Sequence, residues 1–231
     1  MMFPMMKSVE IKSMGRFYES PATGQWYPSV TTVTGFAQKA WWDKWRSDPK
    51  NKEISDRAIS RGNKMHELAE AYLKKEYDKV DSTPLSDKVL FMQLKKYLDR
   101  INHVYAQEMP LWSDTLRMAG RFDCIGEYDG NPSIIDFKSA KSEKKPEWIL
   151  NYFQQATAYA HMWVERTGQK LPQIVILVSC DNGADQEFIR SPLDYREGLR
   201  NAIENYWDKN NFKELQERIK DEVCKTASSV A

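Results

Sequence analysis

The chain has 231 residues, with 34 Lys/Arg against 33 Asp/Glu and a formal charge of +1. That length suits one domain with a sizeable core and leaves little room for a second, and the balanced charge excludes the global basic field that by itself would mark a nucleic-acid binder. Three cysteines, Cys124, Cys180 and Cys224, lie far apart without CxxC spacing, which excludes a disulfide framework, a zinc ribbon and a four-Cys iron–sulfur cluster and fits a reducing compartment.

The segment from Phe17 to Pro28 alternates aromatic residues around Pro21-Ala22-Thr23-Gly24 and predicts a small hairpin or extended arm. Ser29 is placed to cap a first helix running to the Asp48-Pro49 break. A second helix is expected over about Ile54 to Tyr77, where Ile54, Ala58, Met65, Leu68, Ala69, Tyr72 and Leu73 recur at helical spacing. A third follows Ser82-Thr83-Pro84 and ends near Asn102. The period then changes: Val104 to Trp112, Leu116 to Tyr128 and Ser133 to Phe137 read as strands, the last two joined by the turn Asp129-Gly130-Asn131-Pro132. Trp148 to Arg166 returns to helical spacing and stops at Gly168. QIVILVSC is the most hydrophobic strand, with a short polar partner around Glu187 to Arg190. A final helix starts near Asp194, and 225–231 reads as a frayed tail. This order predicts a mixed α/β protein with helices at one side.

No apolar run approaches the ~20 residues needed to cross a bilayer, and the Met-rich start is neither a signal nor a transit peptide. A cytoplasmic protein that avoids membranes, in a bacterial or phage-infected cell, is the expectation. Local charge is more telling than the total. Eight Lys/Arg against four acids fall between Lys39 and Lys64, and four Lys against two acids between Asp136 and Lys145.

The chemistry-bearing positions are His66 on the second helix, Glu108 and Asp123 on the first two strands, and Asp136 with Lys138 on the third. Strand alternation puts Asp136 and Lys138 on one face, and pairing through the Asp129 turn brings Asp123 near Asp136. Two carboxylates that meet this way repel unless a cation lies between them, and such oxygen ligands suit Mg²⁺ or Mn²⁺. A lysine two residues from a metal-binding carboxylate can orient or deprotonate a water that attacks a phosphodiester and can stabilise the charge that develops. An Asp-x-Lys pair alone is a common feature of solvated strands, but the flanking Ile134, Ile135 and Phe137 are apolar, so charges here are half buried and costly without a role.

Glu108-x-Pro110-Leu111, Ala119-Gly120-Arg121-Phe122-Asp123-x-Ile125, Ile135-Asp136-Phe137-Lys138-Ser139 and Gln155-Ala156-Thr157-Ala158-Tyr159 resemble, in order, the motifs of the RecB-like branch of the PD-(D/E)xK nucleases. Arg61-Gly62-x-x-x-His66-x-x-x-Glu70-x-Tyr72-Leu73 resembles that branch's helical histidine motif. Pro28-Ser29-Val30-Thr31-Thr32-Val33 is similar to the opening of the mitochondrial genome maintenance exonuclease group and its phage relatives. Isoleucine rather than proline precedes Asp136, which this branch tolerates because its first Asp is the equivalent of Asp123. The resemblance spans about Pro28 to Tyr159.

It implies a central mixed β-sheet flanked by helices, a restriction-endonuclease-like core with an N-terminal helical elaboration. The whole of 1–231 would be a single nuclease domain, with the arm and helices in 1–103 and the catalytic core in 104–225. It implies one or two Mg²⁺ or Mn²⁺ ions and no iron–sulfur cluster, since the cysteines of some relatives, including many CRISPR-associated ones, are missing. His66, Glu108, Asp123, Asp136 and the Phe137 carbonyl would bind metal, with Asp123 and Asp136 counted in the catalytic centre beside Lys138. Gln155 and Tyr159 would position Lys138 or the phosphate. Arg61, Lys141, Ser29 and Thr31 are the expected substrate contacts.

Plainer readings stand beside these. His66 can be satisfied by Glu70 on its own helix, Gln155 and Tyr159 can share one helix face by spacing alone, and Trp41, Trp42 and Trp45, although a stacking platform for bases is conceivable, are expected in the core. The functional expectation is a DNA exonuclease that prefers single strands with a free end, acting as a monomer with DNA and with replication or recombination proteins as partners. The alternatives are a structure-selective endonuclease for flaps or branches with the same metal centre, and a catalytically silent DNA-binding relative, which the presence of Asp123, Asp136 and Lys138 disfavours.

Overall fold

The computed structural model describes residues 3–228. The chain opens with three antiparallel strands, β1 (Ser8–Ile11), β2 (Gly15–Glu19) and β3 (Trp26–Pro28). The expected hairpin thus has an additional strand on its N-terminal side. Ser29 caps α1 (Val30–Thr34), accepting from the Thr32 amide at 3.0 Å. The single helix expected after it is two, because the chain turns at Gly35 before α2 (Phe36–Arg46). A Cβ at Gly35 would lie 2.9 Å from the Thr31 carbonyl, so the turn is too tight for a side chain.

Pro49 ends nothing internal to a helix. It occupies the first turn of α3 (Pro49–Leu73), and Asp48 caps that helix by accepting from the Lys50 amide at 2.8 Å. The second helix therefore begins five residues before Ile54 and stops before Tyr77, which instead opens the short α4 (Tyr77–Ser82). After Pro84 comes α5 (Leu85–Leu98).

The central sheet has the order β10-β9-β8-β7-β4, formed by β4 (Ile101–Gln107), β7 (Cys124–Tyr128), β8 (Asn131–Ala140), β9 (Gln173–Cys180) and β10 (Asp185–Arg190). Only β8 and β9 run parallel. Their connection is the crossover helix α6 (Leu150–Thr167), which a left-handed Gly168 terminates at φ 74°. Asp129 and Gly130, both at positive φ, make the two-residue turn between β7 and β8.

Two strands expected to be continuous are broken. Val104 to Trp112 divides into β4 and β5 (Pro110–Ser113), and Leu116 to Tyr128 divides into β6 (Met118–Arg121) and β7. β5 and β6 pair with each other as a ribbon outside the main sheet. The kink falls between Gln107↔Cys124 and Pro110↔Arg121, and Glu108 sits in it at φ 51°.

Alternation along the sheet feeds two cores. Ile135, Phe137, Val175 and Leu177 face Met65, Leu68, Leu94 and Leu98 of α3 and α5. Ile134, Ile174, Ile176 and Val178 face Phe153, Ala156 and Met162 of α6. The expected final helix is also two, α7 (Arg196–Asp208) and α8 (Phe212–Ser228). Leu215 and Ile219 of α8 cover Ile11, Phe17 and Trp26 of the N-terminal sheet, and the Gln216 amide brackets the Trp26 backbone through bonds of 2.8 and 2.6 Å. The frayed-tail expectation over 225–231 extends beyond the described residues, and through Ser228 the chain is helical. Among the described residues no helix is long and apolar enough to cross a membrane.

Candidate active site

The kink builds the site. In a straight ladder Glu108 and Asp123 would belong to adjoining strands; here they occupy the bend, tied by the Glu108 amide donating to the Asp123 carbonyl at 3.0 Å. The Asp123 side chain turns toward β8, where Oδ2 accepts from the Phe137 amide at 2.7 Å. From the other side α3 brings His66, whose Nδ1 lies 3.4 Å from the same oxygen. His66, Glu108 and Asp123 each offer one ligand atom, all within 4.8 Å of one another. Glu70, the alternative partner for His66, pairs with Lys74 instead.

Asp136 and Lys138 share the α6 face of β8, and Lys138 Nζ is 2.5 Å from Asp136 Oδ2. Asp136 stands outside the set of three ligand atoms. Its Oδ2 is buried and, although within ion-pair reach of Lys138, meets no donor in hydrogen-bonding alignment. Lys138 also lies over the Tyr152 ring, 5.3 Å from its centroid.

The electrostatics are those of a crowded acidic site. Burial, then the neighbouring Asp123 charge, pushes Glu108 up to about 7, although Arg121 pairs with it at 2.9 Å. Burial also pushes Asp136 up to about 6, with the Asp123 charge adding to it and Lys138 opposing. Burial works against ionisation of Asp123 as well, but the charges of His66 and Lys138 and the Phe137 amide outweigh it and hold this carboxyl below its ordinary value. His66 and Lys138 are raised despite burial, chiefly by Asp123 and Asp136 respectively. Burial thus disfavours the charged forms of Glu108 and Asp136 while the Asp123 carboxylate is favoured, a crowding of acidic groups that a bound cation would relieve. Two carboxylates and an imidazole, with an unaligned buried carboxylate oxygen beside them, fit a divalent ion of the Mg²⁺ or Mn²⁺ type.

The remaining expected residues are distributed less evenly. Ser29 and Thr31 line the same cleft of about 700 Å³ as His66, Glu108 and Asp123. The Ser29 hydroxyl is taken up by capping and by Thr31 and Thr32 at 2.9 and 2.7 Å. Tyr159 is buried and donates to the Arg121 carbonyl at 3.1 Å, supporting the kink from beneath. Gly120 makes room for it, since a Cβ there would stand 2.5 Å from Tyr159 Oη. Gln155 is buried on α6, and no hydrogen bond joins it to Lys138 among the described residues. Phe137 contributes its amide to Asp123. Arg61 pairs with Asp181 at 2.7 Å and is not among the residues lining the cleft, and Lys141 is exposed just beyond β8.

Arg121 and Tyr152 were not singled out by sequence. Arg121 lay within a recognised motif two positions before Asp123, a period-2 signal; Tyr152 lay one turn before Gln155. The basic stretch from Lys39 to Lys64 is not a bare field: Lys39, Arg46, Lys52, Arg57, Arg61 and Lys64 each face a carboxylate, leaving Lys44 and Lys50 without an ion pair among the described residues.

Residues 43–229 match the family described as the PD-(D/E)XK nuclease superfamily, and the mixed sheet flanked by helices agrees with the restriction-endonuclease-like core expected of it. Among solved structures, a protein from Eubacterium rectale assigned only provisionally as an exonuclease is similar at 12% identity and a TM-score of 0.41, over 64% of this chain and 65% of that one. The protein SSO0001 is similar at 17% identity and a TM-score of 0.36, over 64% of this chain and 76% of its own. This chain thus spans just under two thirds of the first neighbour's length. No curated protein matches the sequence.

Proposed function

The chain belongs to the PD-(D/E)XK nuclease superfamily, and from that membership we propose that it is a divalent-metal-dependent exonuclease that hydrolyses DNA phosphodiester bonds and prefers single strands with a free end. The observation that carries this reading is the convergence of His66, Glu108 and Asp123 at the strand kink, with Asp136 and Lys138 beside them. When bound, Mg²⁺ or Mn²⁺ supplies polarisation of the phosphate and a lowered pKa for the attacking water.

The chain's own residues do the rest. His66, Glu108 and Asp123 would hold the ion, and Asp136, paired with Lys138, would add a further carboxylate to the site. Lys138, kept protonated by Asp136 and Asp123, acts as a fixed cation that orients the water and offsets charge developing on the phosphate, rather than as a base. Arg121, paired with Glu108 at the rim of the cleft, would offer its guanidinium to a phosphate oxygen. Tyr159 holds the Arg121 backbone in place from the core.

The test uses a linear single strand and its covalently closed circle, in equal amounts, with Mg²⁺, with Mn²⁺ and with excess EDTA. Degradation of the linear strand alone, and only with metal, is expected. Undiminished hydrolysis in EDTA would remove the metal reading, and comparable loss of the circle would replace the exonuclease with an endonuclease.

A further inference from the structure

Helix α2 buries no residue at all. Trp41 is 60% exposed and Trp42 46% exposed, contrary to their expected place in the core. Large aromatic side chains held in water at this density mark a contact surface, because leaving them there forfeits the free energy of burial. The three rings are ordered relative to one another. Trp41 and Trp45 are near-parallel, 9° apart with centroids 6.4 Å from each other. Trp42 stands edge-on to both, at 4.8 and 5.6 Å. Trp41 and Trp42 carry the exposed ring surface of the cluster, and Trp45 is half-buried beside them.

The helix is rooted beside the cleft. Immediately before it, α1 places Thr31 in the cleft wall; immediately after it, α3 runs on to Asn63 and His66, which line the same cleft. α2 packs on α3, fixed by Arg46 to Asp56 at 2.9 Å and by the Asn51 amide donating to the Trp45 carbonyl at 3.1 Å. Around the rings, Phe36 to Arg61 carries seven Lys/Arg against four acids. The ion pairs there are solvent-exposed and weak, so their cations can exchange partners for phosphates.

Exposed indole rings bordered by a cationic excess, on a helix whose two neighbours in the chain both contribute to the walls of the candidate nuclease cleft, fit one class of occupant, a polyanion carrying flat rings. We propose that Trp41, Trp42 and Trp45 form a stacking platform for unpaired bases of a single strand on its way to the cleft. This extends the nuclease reading and rests on it for the direction of the strand, but not for the binding itself.

Binding is measured by fluorescence anisotropy in EDTA, where turnover is absent, with a labelled 20-nucleotide oligothymidylate and an abasic strand of the same length. Trp41→Ala/Trp42→Ala removes exposed rings and should leave the melting temperature unchanged. The variant should bind the thymidylate roughly 10- to 100-fold more weakly, the range expected for loss of base stacking. Trp41→Phe/Trp42→Phe should recover most of that loss, and the wild type should bind the abasic strand about as weakly as the alanine variant binds thymidylate. Equal affinity of wild type and alanine variant, or undiminished binding of the abasic strand, overturns the platform. Adding Mn²⁺ to the wild type separates the two claims. Tryptophan-dependent binding without hydrolysis removes the catalytic reading and leaves the platform, whereas hydrolysis with tryptophan-independent binding does the reverse.

Discussion

The Phe137 amide donates to Asp123 Oδ2 at 2.7 Å, so the middle of the central strand holds the carboxylate of the kinked hairpin beside it. Because the donor is backbone, no substitution at Phe137 short of proline removes it, and the orientation of Asp123 is a property of the sheet register. The same oxygen faces His66, which makes Asp123 the hinge of the electrostatics.

Asp123→Asn keeps the shape and deletes the charge. Turnover should fall at least about 100-fold, since even outer-shell changes around metals act on the scale of 10- to 100-fold. The Asp123 charge is also the chief influence raising His66 against burial, so in the metal-free variant the His66 pKa should drop below that of the wild type. NMR titration of the imidazole measures this, and an unmoved pKa would mean that the pair is not formed.

Asp136→Asn and Lys138→Ala should each reduce cleavage by at least about 100-fold while the fold persists, because each removes charge at the rim of the core rather than core volume. Loss of Lys138 also takes away the cation that opposes protonation of Asp136, so Asp136 should titrate still higher. Near-wild-type turnover in either variant, with an unchanged melting curve, would mean that the centre has been misassigned.

Stability should depend on pH in a direction set by three groups. Glu108 and Asp136 titrate higher when folded, at about 7 and about 6; the folded state therefore binds more protons than the unfolded one, and stability falls as pH rises from roughly 4 through 7. His66 is raised too, so its contribution is complete below its ordinary value and is likewise lost as pH climbs. The melting temperature of the metal-free protein should decline by a few degrees between about pH 5 and 7.5, at roughly 2–4 °C per kcal/mol for a chain of this size. Mg²⁺ or Mn²⁺ should restore more at the upper end of that window than at the lower. Glu108→Gln should flatten the profile, and a melting temperature that rises steadily with pH would contradict the assigned shifts.

Gly120→Ala would set a Cβ 2.5 Å from Tyr159 Oη, which the surrounding core holds in place. A cost of about 1–3 kcal/mol is expected for such overpacking. The Gly120→Ala/Tyr159→Phe double variant, which deletes the clashing oxygen, should regain part of it in denaturant melts; an additive loss would show that the two positions do not meet.

The mixed sheet and the turn at Asp129-Gly130 were legible because hydrophobic period and turn chemistry agree along β8, β9 and the β7–β8 hairpin. The grouping of His66, Glu108 and Asp123 was suggested by motifs that stand in the order of the family they resemble, and the structure brings those three side chains together. What escaped was the breaking of long elements. Glu108 and Asp123 were read inside continuous strands, since a kink made by a non-glycine residue at φ 51° leaves no compositional mark. Gly35 divides a helix through a backbone contact that spacing does not reveal. The tryptophans of α2 were placed in the core on average behaviour, which a helix lying against only part of the body does not follow.

The bracket of Gln216 around Trp26 joins positions 190 residues apart and gives the molecule an order of completion. β1 to β3 are synthesised before the central sheet, yet Leu215 and Ile219, whose apolar side chains cover them, come after it. A chain still attached to the ribosome can form the central sheet, but the wall contributed by Tyr18, Ser29 and Thr31 lacks its backing until α8 emerges. The cleft wall is thus completed only after the central sheet that it faces. Limited proteolysis of a chain ending at Asn211 should cut first within residues 8–28, where the intact protein resists.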